Sequence, residues 1–218
     1  MKFPKNNPPL LKKNMENRKI FFNKFGITPE NVASGELVHG TNISTVTSEN
    51  EGERFPSADG LITDMKNTYL SVTAADCLPV FLFDPKKGIV AVLHAGWKGL
   101  AKGIVKNAID KFVDDFGSNP HDILAGIGPA ICQKHFEVSR DVANIFEKYP
   151  KSSAKKNKKF YLDIRGVCCQ QLTETGIQVH NTEFTHECTY EMENKYFSAR
   201  RDKPTELEAM IAVIGLNS

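Results

Sequence analysis

The chain has 218 residues, 40% hydrophobic and 25% charged, with a formal net charge of +2. That is the balance of an ordinary globular protein, long enough for one large domain or two small intertwined ones. No apolar run approaches the ~18 residues of a membrane span, and the opening Met1-Lys2-Phe3-Pro4-Lys5 has no apolar signal-peptide core, so neither membrane insertion nor secretion is expected.

Residues 1–13 are rich in Pro and Lys and are expected to be poorly ordered. Asn14 to Phe25 reads as a helix, with Met15, Ile20, Phe21 and Phe25 at helical spacing. Glu36 to His39 and Ile43 to Val46 read as short strands flanking His39-Gly40-Thr41-Asn42, and Thr68 to Thr73 as a strand leading to Asp76-Cys77. Gly99 to Phe116 is the clearest helix, with Leu100, Ile104, Ala108, Ile109, Phe112, Val113 and Phe116 on one face and Gly117 as its stop. Ile123 to Ile127 is a buried-type strand. Ser139 to Lys148, N-capped by Ser139, and Asp163 to Thr175, closed by Gly176, are helices. Val179 to Phe184 and Ala209 to Ile214 are late strands. The segment Lys151 to Lys159 carries five lysines and no acid, leaving the rest of the chain at −3. It reads as a solvated mobile loop, and no nucleic-acid partner is expected because aromatics are not interleaved with the charge. The pattern as a whole is mixed α/β (α+β), with antiparallel hairpins and flanking helices.

The chemistry concentrates at one hairpin. Val80 to Phe83 and Ile89 to Leu93 are apolar runs joined by Asp84-Pro85-Lys86-Lys87-Gly88. With Pro85 to Gly88 as the turn, Asp84 faces Ile89 and Pro79 faces His94. Cys77, two residues earlier, then shares a face with His94 on the diagonal, ~7–8 Å away at Cβ. Three outcomes compete: a Cys–His nucleophile and base pair, a metal site needing a third ligand, or simple packing.

The remaining candidates are weaker. Five cysteines, an odd number, favour free thiols in a reducing, cytoplasmic setting. Cys132, Cys168, Cys169 and Cys188 read as small buried hydrophobes, and His121, His135, His180 and His186 as surface or satisfied-core residues. His39 stands beside a glycine between short strands and is a candidate ligand. Gly126-Ile127-Gly128-Pro129 suggests a tight turn whose N–H groups could face an anion. Arg200-Arg201 could clamp a phosphate or carboxylate, or form a surface ion pair.

Taken together, these segments resemble the YfiH-like family, known as polyphenol oxidase or laccase-domain proteins and as purine nucleoside phosphorylases. The segments are Leu37-Val38-His39-Gly40, Ser57-Ala58-Asp59-Gly60-Leu61-Ile62-Thr63, Thr73-Ala74-Ala75-Asp76-Cys77-Leu78-Pro79-Val80 and His94-Ala95-Gly96-Trp97-Lys98-Gly99. Gly126-Ile127-Gly128-Pro129-Ala130-Ile131-Cys132, Phe136-Glu137-Val138, Cys188-Thr189 and Phe197-Ser198-Ala199-Arg200-Arg201-Asp202 complete the set.

The resemblance implies one catalytic domain over residues 14–218 and a zinc ion held by His39, Cys77 and His94 with one position open. It implies phosphorolysis of adenosine, inosine, guanosine and methylthioadenosine, with purine nucleosides and phosphate as partners, and adenosine deamination. A monomer or homodimer is expected. Asp76, with Asp59 as second choice, is the expected proton carrier, while Asp59, Arg200 and Arg201 are the expected substrate contacts. The chain departs from the family pattern where it opens, near Asn17-Arg18, without a further N-terminal segment, and at Thr205-Glu206-Leu207, where a Thr-Gly-Arg pattern is usual. Two rival readings are a cysteine hydrolase or amidase, with Cys77 as nucleophile and His94 as base, and a non-catalytic metal- or partner-binding protein. Copper chemistry is less expected than zinc: a laccase-type oxidase joins a mononuclear centre to a trinuclear cluster, and six histidines are too few for both.

Overall fold

A computed structural model of the chain describes residues 8–205 and 208–217. Three sheets organise it. The largest runs Thr182–Phe184, Leu124–Ile127, Leu78–Asp84, Ile89–Ala95, Gly60–Thr63, Ile43–Thr45, with parallel pairs at its two edges and antiparallel pairs between. A second sheet runs Met210–Gly215, Tyr69–Ala74, Val32–Gly35, Arg54–Phe55. A small antiparallel sheet joins Ser153–Lys156, Lys159–Leu162 and Glu137–Val138. The fold is a single mixed α/β domain, with antiparallel hairpins inside sheets that also hold parallel pairs.

The central hairpin has the register its turn dictates. Asp84 pairs with Ile89, Pro79 with His94 and Leu78 with Ala95. Asp84 fixes the turn by accepting the Lys86 and Lys87 N–H groups at Oδ1 (2.8 and 3.1 Å), and its carbonyl accepts the Gly88 N–H at 2.9 Å. Every residue of Ile89–Ala95 is buried because the sheet is covered on both faces. Ile89, Ala91 and Leu93 pack into a core with Ile104, Ala108 and Phe112 of the helix Ile104–Asp114 and Val167 and Leu172 of the helix Ile164–Glu174. Val90 and Val92 point the other way, into a core shared with Leu61 of their own sheet and Leu70 and Val72 of the second. The strand thereby delivers His94 at a fixed height, at the end of a rigid, dehydrated element.

Several elements differ from their sequence reading, each for a local reason. The first helix starts at Pro8 and runs to Lys24, so residues 8–13 are helical, while 1–7 lie outside the described residues. Its buried contacts are made by Phe22, with Phe21 partly covered, while Met15, Ile20 and Phe25 are exposed. The long helix is two, Trp97–Lys102 and Ile104–Asp114, broken where Gly103 takes φ 86°. Glu36 to His39 is not a strand, because the N–H groups of Val38 and His39 turn to the Asp59 carboxylate instead of a neighbouring ladder. Val179–Asn181 is a 3-10 turn, and the strand begins at Thr182.

The basic segment, expected as a loop, is a hairpin. Lys156 pairs with Lys159 across Asn157-Lys158, both at positive φ (50° and 64°), the signature of a two-residue primed turn. Lys155 and Arg140 cover the Phe160 ring at 5.6 and 5.7 Å, so part of this charge packs on an aromatic face. The Gly126 to Pro129 turn offers no anion nest through Gly128, whose N–H donates to the Pro79 carbonyl at 2.9 Å. Glu206 and Leu207 lie outside the described residues.

Candidate metal centre

Three elements bring one donor each to the end of the central hairpin. Cys77 precedes the strand Leu78–Asp84, His94 is the penultimate residue of Ile89–Ala95, and His39 comes from the loop between Val32–Gly35 and Ile43–Thr45. One ligand atom from each lies within 4.8 Å of the other two. The imidazoles meet edge to face, centroids 4.8 Å apart at 76°.

Asp59, fully buried, holds both histidines. Its Oδ1 lies 2.9 Å from His94 Nδ1 and accepts the His39 N–H at 2.9 Å. Oδ2 accepts the N–H groups of Val38 (3.1 Å) and Gly40 (2.7 Å). With Nδ1 engaged, Nε2 of His94 is the nitrogen left for the cluster, the carboxylate–histidine arrangement common behind metal ligands. His39 itself sits at φ 57°, a left-handed conformation that the three captured N–H groups stabilise. Room for the thiol depends on Gly96: a Cβ there would stand 2.8 Å from Cys77 Sγ and 3.2 Å from His39 Cδ2.

Charge is shared strongly across the cluster. Burial alone would raise the Cys77 thiol, but hydrogen bonds with His39 and His94 outweigh it and bring the pKa down to about 7. Burial alone would lower His94, but its bonds to Asp59 and Cys77 raise it to about 9. Asp59 is likewise raised by burial, and His94 with the Gly40 and Val38 N–H groups pull it below the usual carboxylate range. The cluster therefore favours a thiolate beside an imidazolium, and a cation replacing the imidazolium proton would keep the charge balance.

This donor set fits a metal ion. Two imidazoles and a thiolate suit zinc-type ions, whose ligands at 2.0–2.3 Å stand about 3.5 Å from one another in a tetrahedral shell. The 4.8 Å limit here is within reach of that after side-chain rotations of about an ångström.

Other candidate residues fall in unexpected places. Asp59, expected as a substrate contact, directs all its bonds inward to His94 and the His39 loop, and none of its surface is exposed. Arg201, also expected as a substrate contact, is held within the fold. Its five N–H groups are spent on the carbonyls of Thr189, Tyr190 and Tyr196 and on the Asp202 carboxylate, so no fork remains for an anion. Arg200 lies over the Phe136 ring (5.0 Å) and donates through Nη1 to the Glu137 carbonyl at 2.8 Å. Asp76 takes φ 90°, and its carboxylate accepts the Thr189 hydroxyl and the Arg200 backbone N–H, each at 2.7 Å. Thr189 and Gly96 were not singled out individually from sequence, since their roles arise from contacts more than 15 residues away along the chain. A second group, Cys132, His135 and Glu191, also brings its donor atoms within 4.8 Å, although sequence gave its members no role.

The chain is similar to known proteins over most of its length. A family model described as multi-copper polyphenol oxidoreductase laccase matches residues 12–217. The chain belongs to this family, that of the YfiH-like proteins. It is 36% identical over 197 residues to the purine nucleoside phosphorylase YfiH of Escherichia coli, covering 87% of this chain and 76% of the relative. It is 32% identical over 171 residues to a purine nucleoside phosphorylase of Bacteroides thetaiotaomicron, covering 76% of this chain and 63% of that relative's length. The crystal structure of a Bacillus licheniformis hypothetical protein YfiH superposes with a TM-score of 0.88 at 31% identity, covering 93% of this chain and 80% of that one. YlmD from Geobacillus stearothermophilus gives 0.88 at 29% identity, covering 93% and 79%. As a YfiH-like protein, the chain shares its mixed sheets with these neighbours, and among its described residues no helix is long and apolar enough to cross a membrane.

Proposed function

We propose that this YfiH-like chain is a zinc-dependent purine nucleoside phosphorylase acting on adenosine, inosine, guanosine and methylthioadenosine, with adenosine deaminase activity. The observation that carries the reading is the convergence of His39, Cys77 and His94 within 4.8 Å, in a family whose curated relatives are named purine nucleoside phosphorylase. His39, Cys77 and His94 would hold the ion, which when bound supplies Lewis-acid polarisation at an open coordination position. Asp59 keeps His94 in the tautomer with Nε2 facing the cluster and fixes the His39 loop. Asp76 links the site to its rim: it precedes the ligand Cys77 and holds the Arg200 backbone at 2.7 Å. On this reading Arg200 meets phosphate, a role supported by the orientation of its guanidinium against Phe136 and Glu137.

The experiment is direct. Zinc-loaded protein supplied with inosine and phosphate should release hypoxanthine and ribose 1-phosphate, and with adenosine should also form inosine. No hypoxanthine release from fully loaded protein overturns the reading.

One observation favours a second reading. A thiol brought down to about 7 between two imidazoles is what a cysteine hydrolase needs of its nucleophile. On that reading alkylation of Cys77 abolishes activity and chelators do not, the reverse of what zinc dependence requires.

A further inference from the structure

The second group of donors lies on two segments that the fold clamps together. Ala130 and Cys188 form a parallel bridge, the Thr189 N–H donates to the Ala130 carbonyl at 3.1 Å, and the Cys132 N–H donates to Cys188 Sγ at 3.2 Å. From this frame Cys132 leads into the 3-10 turn Gln133–His135, which returns His135 to the side of Cys132, while Glu191 follows from the other segment.

We propose that Cys132, His135 and Glu191 bind a second divalent transition-metal ion of the zinc class, separate from the ion at His39, Cys77 and His94. The donors are a thiol, an imidazole and a carboxylate, the mixture that selects zinc-type ions over magnesium or calcium. The spacing Cys-x-x-His sets two of them on one tight turn, as zinc-binding turns do.

The geometry is close to that of a loaded site. His135 Nε2 and Glu191 Oε1 stand 2.9 Å apart, joined by a single proton, and a tetrahedral zinc ion holds such N and O donors about 3.3 Å apart. Replacing that proton by the ion opens the pair by only a few tenths of an ångström. The His135 ring is stacked on Tyr190 at 4.2 Å and 12°, which fixes its plane before any ion arrives. Lys134 shares Glu191 Oε1 at 2.9 Å, but with 75% of its side chain exposed it swings into water without leaving a buried charge. Cys132 and His135 are partly exposed, so the ion has a path in, and water completes the shell. On binding, the Cys132 thiol loses its proton to solvent.

An ion here would tie the Gln133–His135 turn to the segment 188–191. That segment carries Thr189, whose hydroxyl holds Asp76, and the Ile131 N–H reaches the Asp76 carbonyl at 3.1 Å. Occupancy would thus stiffen the support of the residue that precedes Cys77.

Cobalt distinguishes the two sites, because a Co2+–thiolate bond absorbs in the near ultraviolet. In reduced Cys77→Ser protein the first site has no thiolate, so a charge-transfer band saturating at about one equivalent of Co2+ must come from elsewhere. We expect that band, its loss in Cys77→Ser/Cys132→Ser, and binding weakened by about tenfold or more in Cys77→Ser/His135→Ala. Circular dichroism of each variant checks that the fold is kept. Metal analysis of zinc-reconstituted protein should give two equivalents for the unaltered chain and one for His135→Ala. No band in Cys77→Ser protein, or a band unchanged by Cys132→Ser or His135→Ala, overturns the proposal.

Discussion

Asp59 and His94 are joined twice: Oδ1 meets the ring at Nδ1 (2.9 Å), and the Asp59 carbonyl accepts the His94 backbone N–H at 2.7 Å. The same carboxylate captures three consecutive N–H groups of the His39 loop. Replacing Asp59 by Asn should weaken metal binding by about 10–100-fold. It should also cost about 1–3 kcal/mol of stability, since an amide cannot accept all these donors at once. A chelator competition and a denaturant melt read the two effects, and unchanged affinity would show that His94 needs no orienting partner.

Gly96→Ala tests the space reserved for the thiol. The added Cβ would fall 2.8 Å from Cys77 Sγ and 3.2 Å from His39 Cδ2, forcing the donors apart. The protein should fold with a near-normal melting temperature and bind zinc much more weakly. Equal affinity in metal analysis would mean that the cluster has slack the geometry does not reveal.

The ionisation of the metal-free cluster makes uptake proton-linked. Near pH 8 Cys77 is already largely thiolate, with its pKa at about 7, and His94 still holds its proton, with its pKa at about 9. Coordination needs thiolate and neutral imidazole, so these two residues should release about one proton near pH 8 and about two near pH 6. Apparent affinity therefore falls as pH drops, more steeply below pH 7. Titration calorimetry in buffers of different ionisation enthalpy counts the protons, and a count independent of pH contradicts the thiolate–imidazolium pair.

The neighbouring arginines should separate cleanly. Arg201→Ala strands the Thr189, Tyr190 and Tyr196 carbonyls and should lower stability by about 1–3 kcal/mol or more. Arg200→Ala should leave the melting temperature nearly unchanged and raise the KM for phosphate by about tenfold. If Arg201 rather than Arg200 sets the phosphate KM at unchanged stability, the assignment is reversed.

What could be read from the sequence follows the range of the forces involved. The hairpin register was legible because the turn is local: Pro85 to Gly88 and the alternation on either side leave one pairing, and Pro79 does face His94. His39 could be placed as the third arm only by family resemblance, since the carboxylate that turns its loop lies 20 residues away. The Arg200-Arg201 pair looked symmetrical in sequence, and only the tertiary partners reveal that one guanidinium is fully engaged. Gly103 sat inside a continuous helical pattern that gave no sign of the break, and five lysines hid a hairpin whose strands are pinned by Phe160.

Because a single carboxylate holds the His94 ring and the backbone of the His39 loop, the two histidines are set at a nearly fixed spacing. Cys77 is the arm not tied to Asp59, and it enters from the start of a strand after the strained Asp76. An ion larger or smaller than the one that suits this spacing must be accommodated by movement of the sulfur. Discrimination among metals is therefore vested in the thiolate arm, and exchanging Cys77 for a harder ligand should change which ion is retained more than how firmly the histidines stand.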